Sequence, residues 1–115
     1  MELSKQEQFD LLEKFNVYEL QQKFGWEELY DVFSISPEEY INWEVKQPIN
    51  PSVRRKKETF DGFYFIDVNG KYEVYWQERG IINGLEVFSE YSSARKTLAK
   101  GSIPYFLYKK HRIHK

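Results

Sequence analysis

A chain of 115 residues with a formal charge of −1, 30% charged and 18% aromatic residues has the size and composition of a folded domain with one core. This excludes a disordered polyampholyte and argues against a dedicated, strongly basic nucleic-acid binder. The absence of cysteine excludes disulfides, thiolate catalysis and cysteine-ligated zinc together, and suits a cytoplasmic protein. No basic leader precedes an apolar run, and no stretch approaches the roughly 20 apolar residues of a membrane helix, so a soluble chain that neither spans nor needs a membrane is expected.

Residues 4–15, SKQEQFDLLEKF, set Phe9, Leu12 and Phe15 at helical spacing beside Leu11, with Ser4 and Glu7 as a capping box. Asn16 and Glu19 repeat that signature, which predicts a second short helix through Tyr18, Leu20 and Phe24, ended by Gly25. Residues 26–35, WEELYDVFSI, fit a helix on Trp26, Leu29, Tyr30 and Phe33 better than a strand. Ser36, Pro37, Glu38 and Glu39 form a helix start: a serine cap, proline at the first helical position and carboxylates at the positive dipole end. A short helix through Tyr40, Ile41 and Trp43 follows.

From 46 to 59 the pattern fails. Pro48 and Pro51 interrupt it, and Arg54, Arg55, Lys56 and Lys57 then run together, so this is the main loop. Residues 62–80, GFYFIDVNGKYEVYWQERG, specify a β-hairpin, because Asn69 and Gly70 both tolerate the positive φ of a type I′ turn. That turn pairs Val68 with Lys71, Ile66 with Glu73 and Tyr64 with Tyr75. One face then carries Phe63, Phe65, Tyr72, Val74 and Trp76, with Asp67 at its turn end, and reads as core. The other carries Tyr64, Ile66, Val68, Lys71, Glu73, Tyr75 and Gln77. Alternation at Leu85, Val87 and Ser89 predicts a third, antiparallel strand reached through a loop over 80–84. Ser89 should begin a helix with Tyr91, Ala94 and Leu98 on one face, packed on the sheet, with Arg95, Lys96 and Lys100 towards an end set by Gly101. Residues 103–108 read as a last strand or packed extension, and 109–115 as a basic tail.

The expected fold class is therefore α+β: a helical N-terminal half packed on a small antiparallel sheet built on a central hairpin, 62–79, with a C-terminal helix. A single domain is expected over 1–115, with a helical half at about 4–45, a loop at 46–59, a β-rich half at 60–108 and a tail at 109–115.

Catalytic chemistry finds little footing. His111 and His114 sit among cations in KKHRIHK with no carboxylate nearby, which makes a poor metal site. No histidine lies inside the expected core to activate a serine. Asp67, Glu73, Glu78 and Glu86 belong to the sheet region, but read as hydrated strand ends and cross-strand ion pairs, and Arg79 beside Gly80 reads as a turn anchor. The dispersed glycines match neither GxGxxG nor GxxxxGK. No enzyme activity and no cofactor are expected.

Two binding readings remain. The run Arg54 to Lys57, with Tyr64 and Tyr75 exposed on the hairpin, would suit a small nucleic-acid-binding adaptor. Glu27, Glu28, Asp31, Glu38 and Glu39, with Tyr40 and Trp43, instead make an acidic and aromatic surface for a protein partner with a basic cleft.

The element order of the C-terminal half adds to the second reading. A strand ending in Arg79 and Gly80, then Phe88, Ser89 and the Ala94 helix, resembles the small α+β immunity proteins of bacterial polymorphic toxin and contact-dependent growth-inhibition systems. The likeness covers residues 62–101. It implies a cytoplasmic, non-enzymatic protein that binds a cognate toxin domain, expected to be a nuclease with a cationic cleft, and blocks its active site or substrate access. The contact residues expected on that basis are Glu27, Glu28, Asp31, Glu38, Glu39, Tyr40 and Trp43. Self-association is left open.

Overall fold

The computed structural model describes residues 3–108; the expected basic tail, with His111 and His114, lies outside them. The fold is α+β, with helices α1 (Lys5–Lys14), α2 (Val17–Phe24), α3 (Leu29–Val32) and α4 (Pro37–Glu44), strands β1 (Gly62–Val68), β2 (Lys71–Glu78) and β3 (Ile81–Phe88), helix α5 (Tyr91–Gly101) and a 3₁₀ turn at Tyr105–Leu107. The chain divides into two compact units. One comprises the stretch up to Trp43 and the stretch from Ile103 on; the other is Glu44–Ser102.

In the helical unit, local signals set the helix starts. Ser4 with Glu7 and Asn16 with Glu19 form complete capping boxes, and Gly25 at φ 82° closes α2. Ser36 and Glu39 exchange the same pair of bonds at 2.8 and 3.0 Å. The stretch 26–35 is helical only over the single turn of α3, with Glu28 at its cap and no side-chain cap bond. Leu20, Leu29, Phe33, Ile35, Tyr40, Phe106 and Leu107 are buried together, and Phe33 and Phe106 meet at 4.7 Å between ring centroids. Residues 103–108 therefore serve as a packed extension of the helical unit, and the β-rich unit ends at Ser102.

The three strands run antiparallel in the order β1-β2-β3. The β1–β2 register is the one the Asn69-Gly70 turn dictates, with Tyr64 opposite Tyr75 and Val68 opposite Lys71; Asn69 has φ 53° and Gly70 φ 82°. The link to β3 is shorter than expected. Arg79 and Gly80, both at positive φ, form a two-residue turn, and the strand starts at Ile81. Gly84, at φ 63°, lies where the pairing slips by one residue, a bulge inside β3 and not a loop before it.

Both faces of the hairpin are buried. On the expected core face, Phe65 and Val74 pack with Ala94 and Leu98 of α5. On the other, Tyr64, Ile66 and Tyr75 form their own cluster, and the rings of Tyr64 and Tyr75 stack at 4.8 Å and 7°. The loop beside them completes this second face. Tyr64 donates its hydroxyl to the Phe60 carbonyl at 2.6 Å, and Gln77 Nε2 donates to the Glu58 and Phe60 carbonyls at 2.9 and 3.2 Å. Burial, then the neighbouring Tyr64 and Glu73, hold the Tyr75 phenol above its ordinary pKa.

The expected start of α5 is corrected. The helix starts at Tyr91 after Glu90, with no side-chain cap bond, and not at Ser89. Arg95, expected only towards the helix end, is 2% exposed and donates to the Glu44 and Gln47 carbonyls at 2.8 and 3.1 Å. The helix ends at Gly101 as expected, with Ser102 as its C-cap and no left-handed conformation at the glycine; a Cβ there would lie 2.7 Å from the Phe63 ring, so the glycine makes room for an aromatic.

Candidate functional site

Glu7, Asp10, Leu11 and Lys14 follow helical spacing along one face of α1, and Phe15 is its C-cap. With Leu3, with Phe24 at the end of α2, and with Glu28, Asp31 and Val32 around α3, they line a groove of about 540 Å³ in the helical unit. Its apolar surface comes from Leu3, Leu11, Phe15, Phe24 and Val32. Among the described lining residues, four carboxylates stand against the ammonium of Lys14, and Lys23 Nζ lies 5.0 Å from the Phe15 ring centre. Local bonds orient several of these groups: Glu7 Oε1 accepts from the Ser4 amide at 2.8 Å, Asp10 Oδ1 accepts from Gln6 Nε2 at 2.9 Å, and Lys14 Nζ lies 5.6 Å from the Phe15 ring centre. An apolar floor with a negative surround suits a segment that combines apolar and basic side chains.

The seven residues expected to contact a partner do not form one surface. Glu28 and Asp31 line the groove, and exposed Glu27 precedes them in the turn before α3. Glu38 is exposed at the start of α4 and is not part of the groove lining. Glu39 closes the α4 capping box and pairs with Lys5. The Lys5 bond, foremost, and the Ser36 amide hold its carboxyl below the ordinary glutamate range. Of the two aromatics, Tyr40 is corrected from a surface anchor to a packing residue, and Trp43 is half-buried. Tyr40 is buried in the helical core, and Trp43 stacks on Phe9 at 5.3 Å and 17°.

Glu7 and Asp10, and the apolar floor, were absent from the sequence expectation. A signal for them existed: α1 carries Leu11 and Phe15 beside Phe9 and Leu12, a wider apolar arc than one core-facing stripe requires.

The adaptor surface is not assembled as expected. Tyr64 and Tyr75 are 0% and 3% exposed, so neither presents a ring face for base stacking. Three of the four cations of the run have partners within the protein: Arg54 pairs with Glu58 at 3.0 Å and lies over the Phe60 ring, Arg55 Nε donates to the Phe65 carbonyl of β1 at 2.9 Å, and Lys57 Nζ lies 3.8 Å from Glu73 Oε1.

The sheet carboxylates are dispersed. Asp67 and Glu78 lie at opposite ends of β1 and β2, Glu73 pairs with Lys57 at 3.8 Å, and Glu78 accepts from Trp76 Nε1 at 3.3 Å. Arg79 gives its backbone N–H to Asp61 Oδ1 at 2.9 Å, so its turn-anchoring contact comes from the main chain. Among the described residues, no group of three histidines, cysteines or carboxylates is placed to hold a metal, and no helix is long and apolar enough to cross a membrane.

No protein family model matches this chain, and no curated protein or solved structure matches it.

Proposed function

We propose that the protein is a binding protein of the immunity type, acting in the bacterial cytoplasm, which neutralises a cognate toxin domain by covering its active site or its route for substrate. The observation that carries this reading is the apolar groove of the helical unit with Glu7, Asp10, Glu28 and Asp31 around it. A nuclease domain must present cations to phosphate, so a basic and partly apolar segment of such a toxin is complementary to the groove in both charge and polarity. The resemblance of residues 62–101 to immunity proteins points the same way. Binding alone is the activity, so neither cofactor nor catalytic residue is required.

The test is binding to the product of the adjacent reading frame, measured by calorimetry for the wild type and for Glu27→Lys with Glu28→Lys. Both substituted side chains are exposed and neither caps a helix through its side chain. The reading expects a tight complex that protects the toxin's substrate, weakened at least tenfold by the double substitution while the circular dichroism spectrum is unchanged. A tight complex indifferent to these charges would move the interface elsewhere, and absence of any complex would overturn the function.

A further inference from the structure

The two edges of the sheet are treated differently. Along β1, Arg54 adds a short parallel bridge: its N–H donates to the Phe63 carbonyl and its carbonyl accepts from the Phe65 N–H, each at 2.9 Å. The outer edge of β3 pairs with nothing among the described residues. Its side chains are also those of a strand awaiting cover, since Ile81, Ile82, Leu85 and Val87 are 64%, 48%, 49% and 53% exposed. Soluble proteins ordinarily protect such an edge with charges or proline. In IINGLEVF, Glu86 is the single charged residue and there is no proline.

We infer that β3 pairs antiparallel with β3 of a second copy of this chain, joining two three-stranded sheets into one of six strands. The strand is complementary to itself in one register. Phe88, Glu86, Asn83 and Ile81 lie opposite Tyr72, Val74, Trp76 and Glu78 on one face of the sheet, and Val87 and Ile82 lie opposite Glu73 and Gln77 on the other. A two-fold axis perpendicular to the sheet keeps each residue on its own face. Centred between Gly84 and Leu85, it sets Ile81 against Phe88 of the second copy, Ile82 against Val87 and Asn83 against Glu86. Every long apolar side chain outside the bulge meets another, and the one charge of each strand meets a neutral amide and not its own counterpart.

Neighbouring registers lack this match. A slip of one residue opposes Ile82 to Phe88, which point to different faces. A slip of two opposes Ile81 to Glu86, or Asn83 to Phe88. The bulge at Gly84 is what makes the full-length pairing consistent in face, because it shifts the parity of the strand midway.

Sedimentation velocity on the full chain tests the pairing. The wild type should sediment as a dimer at about 100 µM, where a micromolar association is largely complete. Ile82→Lys with Val87→Lys should halve the sedimenting mass with an unchanged circular dichroism spectrum, since both side chains are exposed. A wild-type monomer at that concentration, or a dimer that survives the double substitution, overturns the inference.

The register is tested in a chain with no cysteine of its own. Asn83→Cys mixed with Glu86→Cys should form a disulfide-linked dimer on mild oxidation at least tenfold faster than either variant alone. Equal rates in the mixture and the separate samples would rule out this pairing.

Discussion

Gln8 of α1 binds the backbone at Ile35, twenty-seven residues away, by accepting its N–H at 3.0 Å on Oε1. The same oxygen accepts the Ser34 N–H at 2.8 Å, while Nε2 donates to the Leu3 carbonyl at 3.0 Å and to Ser34 Oγ at 2.9 Å. One amide, fully buried, thereby satisfies two consecutive main-chain donors where the chain passes from α3 to α4. Replacement by leucine keeps the volume but orphans both, and should cost about 2–4 kcal/mol. Urea unfolding of Gln8→Leu measures it, and a loss below about 1 kcal/mol would show that water or a shifted backbone replaces the side chain.

Arg95 and Glu44 form a second buried arrangement. Arg95 Nη2 lies 3.9 Å from Glu44 Oε2, and burial raises the Glu44 pKa above its ordinary value while Arg95 opposes that rise. Arg95 Nε and Nη1 are buried without a hydrogen-bond partner. Arg95→Ala leaves a cavity and removes the guanidinium's bonds to the Glu44 and Gln47 carbonyls, and should cost about 3 kcal/mol. Arg95→Met fills the space, removes the unpaired donors and should cost less. Removing the cation in either variant should drive the Glu44 pKa further up, which a carbon-13 carboxyl titration reads directly; a fall would show that burial is not the dominant cause.

Glu39 provides a pH dependence of opposite sign. Its pKa is lowered in the folded state, chiefly by the Lys5 hydrogen bond. The resulting stabilisation is present in full above the ordinary glutamate value of 4.5 and is lost as pH falls through the lowered folded value. Glu39→Gln retains a capping side chain but removes the charge. The variant should be less stable than wild type at neutral pH, with the difference closing on acidification. A difference independent of pH would assign the effect to the cap alone.

The β2–β3 connection holds a residue in an unfavourable conformation. Arg79 has φ 53°, where a side chain other than glycine, asparagine or aspartate is strained. Arg79→Gly relieves that strain and keeps the N–H bonded to Asp61, so it should stabilise the protein by about 1 kcal/mol. Gly84→Ala places a side chain at φ 63° with open space around it, and should destabilise by about 1 kcal/mol from backbone strain alone. Thermal melts of the two variants moving in the same direction would contradict this account.

Features governed by contacts a few residues apart were legible in the sequence. Ser4 with Glu7, and Asn16 with Glu19, set helix starts because cap and third residue reach one another within one turn. Asn69-Gly70 determined the β1–β2 register, because a two-residue turn that requires positive φ admits one pairing and alternation then sorts the faces. Tertiary structure decided which of these elements need one another. Whether the second hairpin face is solvated depends on where residues 54–60 pass, which no periodicity encodes, and their return over Tyr64 and Gln77 buries the aromatics that otherwise read as a base-stacking platform. Gln8 and Arg95 look like surface residues from their polarity alone; they are internal because distant backbone groups needed partners and long polar side chains could reach them. The candidate site divides in the same way. Glu28 and Asp31 were legible as local negative charge, whereas the groove beside them exists because α1, the end of α2 and α3 converge without closing over Phe15 and Phe24, a fact of packing between segments and not of any one of them.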